Sequence, residues 1–303
     1  MLKLFYELLQ NFFLCIFIGF FIGFFFKNLT KKISKPLINY GIPILISASL
    51  FGNKINKEIL FPFVLGILFI SFQFLIFYYK QKINNKLDPN LFLTPLLGNT
   101  GYIGLPICFL FLSKESFLYA VTYDIGSMLA TWGLIPFFLS KDLDNKFNLK
   151  LNSITQFILN IPAIRGLILF AFLKNFATNS NFEFFFKTIS TYISFFALIY
   201  LGIFIGELSK RYSIQFVYKE INIFNIIYKL LISPLLILFI CIFIDIDNKF
   251  YPSLIIQAAM PTGISALLIS EKYKFETKKI ASNIIITTTL SIVTIPCLIY
   301  LLK

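Results

Sequence analysis

The chain contains no histidine. A Ser-His-Asp triad, a His-bearing metal site and a His proton relay are therefore excluded on this chain alone. Charge chemistry inside apolar sequence is left to Asp124, Arg165 and Lys229. A charge at mid-bilayer costs roughly 2.5–3.5 kcal/mol on insertion scales and needs a partner or water. Asp124 is a candidate to bind a proton, to orient a neighbouring polar residue or to pair with Arg165; the plain alternative is a structural polar contact. Lys229 reads as a snorkelling residue near a helix end. Short polar side chains also gather beside helix breakers at two places. Asn99 and Thr100 stand with Gly101, Gly104 and Pro106, and Thr262 and Ser265 flank Pro261 and Gly263. Cys15, Cys108, Cys241 and Cys297 lie singly in apolar runs without C-x-x-C spacing, which suits apolar filling rather than metal binding. No catalytic residue, metal or cofactor is expected.

These residues sit in a chain of 303 residues that is 58% hydrophobic, with 40 Phe and a mean hydropathy of +0.82. Apolar runs of about twenty residues recur along it, which reads as an all-α polytopic membrane protein. The runs are far longer than the roughly ten residues of a barrel strand and lack strict alternation, so an outer-membrane barrel is rejected. The net charge of +13 lies in short clusters between apolar runs, a topological pattern and not a nucleic-acid surface.

Ten spans account for these runs: about 8–26, 36–51, 60–79, 91–112 and one ending near 139, then 155–173, 186–208, 224–244, 253–270 and 280–302. The first resembles a signal peptide but has no convincing cleavage site, and it is expected to be retained. Residues 1–140 form a first five-helix unit, 141–154 a polar cytoplasmic linker and 155–303 a second unit. Loops after odd-numbered spans hold 17 Lys and Arg residues, and the opposite side with both tails holds 8. That bias puts both termini away from the cytoplasm in a cytoplasmic (inner) membrane.

An odd number of crossings per half makes the second half enter the membrane in the opposite direction, as inverted repeats require. The fourth spans of the two halves break alike, with Gly104 and Pro106 in one and Pro261 and Gly263 in the other. Pro106 cannot donate to the carbonyl of Tyr102, so an interruption is expected between Asn99 and Pro106. Broken backbone persists in a membrane only where it is buried in protein or lines a wet cavity. Half-helices starting near Pro106 and Pro261 would direct positive dipole ends toward the midplane, where backbone donors can hold an anion. A small organic anion is the expected substrate.

GNTGYIGLP at Gly98 to Pro106, followed by AAMPTGISALLISEKY at Ala258 to Tyr273, resembles the auxin efflux carrier family over essentially the whole chain. YDIGS at Tyr123 to Ser127 and the stretch from Pro296 to Leu301 are similar more weakly. The resemblance implies two inverted five-helix repeats whose helices 4 and 9 are broken and cross at their prolines, with substrate beside the crossing. It carries over Asn99, Thr100, Pro106, Gln257, Pro261 and Gly263 as site residues. It also implies a weak organic acid, such as auxin in plants or malate and malonate in bacteria. The chain lacks the long central loop of many plant members, which points to a compact bacterial type. Arg165, three residues after Pro162, departs from the small residue usual there.

The expected activity is secondary transport, or facilitated passage, of an organic anion by alternating access. A proton or a sodium ion is a candidate coupling partner, and a second copy of the chain a candidate assembly partner. No Walker A sequence occurs, so ATP is not the direct energy source on this chain. The alternatives are a sodium- or proton-coupled carrier of the same plan for another solute, a channel, or an aspartyl intramembrane protease. The protease lacks a second carboxylate, because no G-x-G-D occurs and Asp245 and Asp247 fall in a loop on the opposite side.

Overall fold

The computed structural model describes residues 2–26, 28–51, 57–84, 88–142, 161–174, 180–211 and 220–302. Residues 143–154 of the expected linker and the first part of the sixth span lie outside them. Among the described residues every regular element is helical, apart from one isolated β-bridge. Helix α1 is Leu2–Phe25, and α2 runs from Leu29–Pro36 through a π-turn at Leu37–Gly41 into Ile42–Leu50. Helix α3 is Leu60–Ile83, α4 is Pro89–Phe92, and α5 joins a π-turn at Thr100–Gly104 to Leu105–Phe111. Helix α6 comprises Lys114–Leu129, a π-turn at Ala130–Leu134 and Ile135–Asp142. Then follow α7 (Pro162–Leu173), α8 (Ser180–Arg211) and α9, in which Ile223–Ile227, a π-turn at Tyr228–Ile232 and Ser233–Phe243 are continuous. The last three are α10 (Tyr251–Ala258), α11 (Ile264–Lys272) and α12 (Lys278–Leu301).

Four helical stretches are long and apolar enough to cross a membrane: Lys57–Ile83, Asn181–Lys210, Ile223–Phe243 and Lys278–Leu301. Large apolar side chains face outward on these and neighbouring helices, among them Phe17, Phe72 and Phe239, each more than 60% exposed. Such a surface suits lipid and not water. The protein is thus a multi-pass helical membrane protein.

Each π-turn stands two residues ahead of a proline, at Pro43, Pro106, Pro136 and Pro234. A proline removes its own bond to the carbonyl four residues back and crowds that carbonyl. The widened turn answers this, because the residue before each proline reaches five residues back: Ile42 N–H to Leu37, Leu105 to Thr100, Ile135 to Ala130 and Ser233 to Tyr228. The helix therefore continues through the proline. This corrects the expected interruption between Asn99 and Pro106. The break lies one turn earlier, at 97–99, and Thr100–Phe111 is helical across Pro106. The matching break is at 260–263, with Pro261 inside the extended stretch and helix resuming at Ile264.

Helix pairs that frame the breaks approach closely through glycine. Gly19 and Gly23 on α1 face Gly202 and Gly206 on α8, two G-x-x-x-G patterns. A Cβ added at any of the four would land on a backbone carbonyl oxygen of the partner helix. Gly66 on α3 and Gly126 on α6 meet in the same way, against the carbonyls of Tyr123 and Phe63. Without a hydrophobic drive between helices in lipid, backbone proximity and dispersion hold such pairs. Two apolar clusters fill the interior between them, one around Phe74, Tyr78 and Phe92, the other around Leu45, Ile46 and Phe117.

Candidate functional site

The two breaks lie against each other. Gly98 and Thr262 form an antiparallel bridge, with Asn99 N–H donating to Pro261 O at 2.8 Å and Gly263 N–H to Leu97 O at 2.7 Å. Each broken helix thus gives its loose backbone groups to the other, which is how unwound backbone is satisfied away from water. The pairing depends on the absence of a side chain at Gly263, where a Cβ would stand 2.7 Å from the Gly98 carbonyl oxygen. Asp88 fixes the approach of the first half-helix, since its side chain accepts from Asn90 N–H at 2.9 Å and Pro89 occupies the first turn.

A cavity of about 330 Å³ opens on one side of this crossing. Gly98, Asn99, Gly101 and Tyr102 line it from the first break, and Gly263, Ile264 and Ser265 from the second. These are the first residues of α5 and α11 and the residues just ahead of them, so the N-termini of two half-helices face one space. Leading N–H groups of a helix have no intrahelical acceptor, and the helix dipole adds partial positive charge there. Asp124, from the middle of α6, also lines the cavity and is only 2% exposed. Its carboxylate accepts from Thr100 Oγ1 at 2.5 Å. Met128, Trp132 and Ile161 supply an apolar wall.

Asn99, Gly101, Asp124, Gly263 and Ser265 of the expected site residues are therefore brought to one cavity. Thr100 stands behind it as the partner of Asp124. Pro261 takes part through its carbonyl, in the bridge. Thr262 is fully buried and structural in its bonds: its hydroxyl donates to Thr94 O at 2.9 Å and its N–H to Thr287 Oγ1 at 3.1 Å. Gln257 packs on Gly104 and donates to Ala120 O at 3.3 Å, and Pro106 is buried in α5; neither lines the cavity. Arg165 does not line it either, and its guanidinium donates to Asn39 Oδ1 at 2.9 Å.

Lys229 is not a snorkelling residue. It is 2% exposed, and its amine donates to Ala258 O at 3.2 Å and to Leu96 O at 3.4 Å, beside the crossing. The lack of a side chain at Gly98 admits it, for a Cβ there would stand 3.1 Å from Lys229 Nζ. Its position five residues inside an apolar run, beyond the first turn, is the signal for burial that the sequence does carry. Tyr102, Met128 and Trp132 join the wall without a local signal: each stands in a long apolar run, and although Trp132 is the chain's single tryptophan, nothing beside it in the sequence tells which way it faces.

Residues 160–299 match the family model described as membrane transport protein, the auxin efflux carrier family. The chain is also 24% identical over 262 residues to the uncharacterized transporter MJ1031 of Methanocaldococcus jannaschii, a match covering 83% of this chain and 82% of the relative. Both likenesses point to a transporter and not to an enzyme.

Proposed function

We propose, from the premise that the chain is a membrane transporter of the auxin efflux carrier type, that it carries a small organic anion by alternating access at the crossing of its two broken helices. One observation carries the reading: the N-termini of two half-helices, α5 and α11, line one cavity of about 330 Å³, and among the described residues that line it there is no Lys or Arg. Backbone donors and dipoles of this kind hold a carboxylate without the cost of a buried cation. Asn99 and Ser265 add side-chain donors, and Trp132 and Met128 an apolar face for a carbon skeleton.

Asp124 beside this cavity gives the proposal its coupling. An anion and an ionised carboxylate repel each other in a space of this size, so the anion enters together with a proton on Asp124. A sodium ion is the alternative coupling partner. The ten spans, the inverted repeat divided at residues 141–154, the inner-membrane location and the non-cytoplasmic termini belong to the same proposal, supported by the alternating loop charge and the pairing of the fourth-span break with the ninth.

The test is counterflow of labelled mono- and dicarboxylates in proteoliposomes, comparing wild type with Asn99→Ala and Pro261→Ala. Saturable counterflow that weakens in both variants supports a carrier site at the crossing. Unchanged transport of a confirmed substrate by both would overturn it. With an imposed pH gradient, Asp124→Asn is expected to transport without responding to the gradient; a retained response would remove Asp124 from the coupling step.

A further inference from the structure

Where the first half-helix ends before its break, Leu96 O faces outward from the turn; where the second ends, Ala258 O does the same. Both accept from Lys229 Nζ. In an unbroken helix the acceptor at Ala258 would serve the N–H of Thr262, but that N–H is taken by Thr287 Oγ1, and Ala258 O receives Ser233 Oγ at 3.2 Å as well. Helix C-termini carry the negative end of the dipole, and two of them converging on one point make a place for a positive charge. In transporters with discontinuous helices, unwound carbonyls and half-helix C-terminal ends are where coupling cations are coordinated. Here a side chain occupies that place. A water-sized pocket of about 10 Å³ adjoins it, lined by Lys229, Gly98, Thr100, Ser127 and Gln257. Gln257, another lining residue, has its Oε1 buried against Gly104 without a hydrogen-bond partner among the described residues.

We infer that Lys229 is a tethered cation, holding the two half-helix C-termini together where a coupling sodium ion would otherwise bind, so that the protein needs no sodium at the crossing. The inference rests on the reading of the chain as a carrier, and deepens it by assigning the two ends of the crossing opposite tasks. The N-terminal ends face the substrate cavity, and the C-terminal ends are occupied permanently from α9. Truncating the side chain removes the amine and leaves two backbone carbonyls and the Ser233 hydroxyl around a small void, an all-oxygen set suited to a hard monovalent cation.

The experiment reads cation binding apart from transport. Thermal unfolding of purified wild type, Lys229→Ala and Lys229→Met is followed in choline, sodium, lithium and potassium chloride at equal ionic strength. Wild type is expected to show no sodium-specific shift. Lys229→Ala is expected to unfold at lower temperature in choline and to regain about 2–5 °C in sodium, saturably. Lys229→Met, whose chain fills the void, is expected to be destabilised without the sodium response. Saturable stabilisation of wild type by sodium would overturn the inference, as would a folded Lys229→Ala indifferent to all three metal ions. If Lys229→Ala is not recovered folded, Lys229→Ser takes its place with the same two outcomes. Failure of the carrier reading would appear instead as absent counterflow by wild type and leaves these shifts unaffected.

Discussion

Asp124 and Thr100 show how one hydrogen bond ties the cavity to the break. The carboxylate is buried and its bond comes from the first residue of α5. Thr100→Val keeps the shape and removes the donor, so it is expected to destabilise the protein by about 1–3 kcal/mol, read as a lowered unfolding midpoint. Asn99→Ala and Ser265→Ala remove donors at the cavity and leave the bridge backbone in place. Each is expected to weaken apparent substrate affinity by about tenfold or more, measured as the half-saturating concentration in counterflow, because hydrogen bonds to a charged group are worth about 1.5–3 kcal/mol. Asn99, Thr100, Asp124 and Ser265 were legible as residue types beside breakers or inside apolar sequence. The burial of Lys229 was marked only by its place inside an apolar run, and its partners were not legible, since a lysine in a helix is free to turn either way until Gly98 on another segment admits it.

The helices divide into those that run whole and those that do not, and proline alone does not decide which. Pro43, Pro106, Pro136 and Pro234 all sit in continuous helix behind a π-turn, whereas Pro261 sits in an extended break. What separates them is a partner for the freed backbone. Leu97 O and Asn99 N–H pair with Gly263 and Pro261, a solution that exists only where two breaks meet. Gly263→Ala is therefore expected to abolish transport while leaving helix content by circular dichroism unchanged, as its Cβ would push on Gly98 O. The α1–α8 contact depends on glycine in another sense. Gly202→Leu is expected to separate these helices and lower the unfolding midpoint sharply, and Gly202→Ala to do so less. The G-x-x-x-G spacing at Gly19/Gly23 and Gly202/Gly206 stands in the sequence, but which helix each faces does not.

At one end of the molecule Lys249 bridges three carboxylates: Glu58 at 2.6 Å, Asp247 at 3.6 Å and Glu115 at 3.9 Å. The clasp joins the turn before α3, the start of α6 and the turn before α10. The Glu58 carboxylate raises Lys249 above the usual lysine value. The carboxylate side of the clasp exists only while Glu58 is ionised and is lost when acid protonates it. The lysine side is fully formed below its unfolded value of about 10.4 and is lost as pH rises through the raised one. Lys249→Met should thus lower the unfolding midpoint relative to wild type near neutral pH, with the gap closing below about pH 4; a gap independent of pH would rule out an electrostatic clasp. Membrane class, helical spans, loop charge and the two breaker clusters follow from the sequence by itself, because hydropathy over twenty residues and the chemistry of Pro and Gly are local properties. Only the tertiary structure decided where the first break falls, which of Asn99, Thr100, Gln257 and Arg165 reach the cavity, and that Lys229 spans both half-helix ends. Those depend on contacts between different helices, from 24 residues apart for Thr100 and Asp124 to 137 for Gln257 and Ala120, where a backbone group or a charge takes its partner from whichever helix the packing brings near.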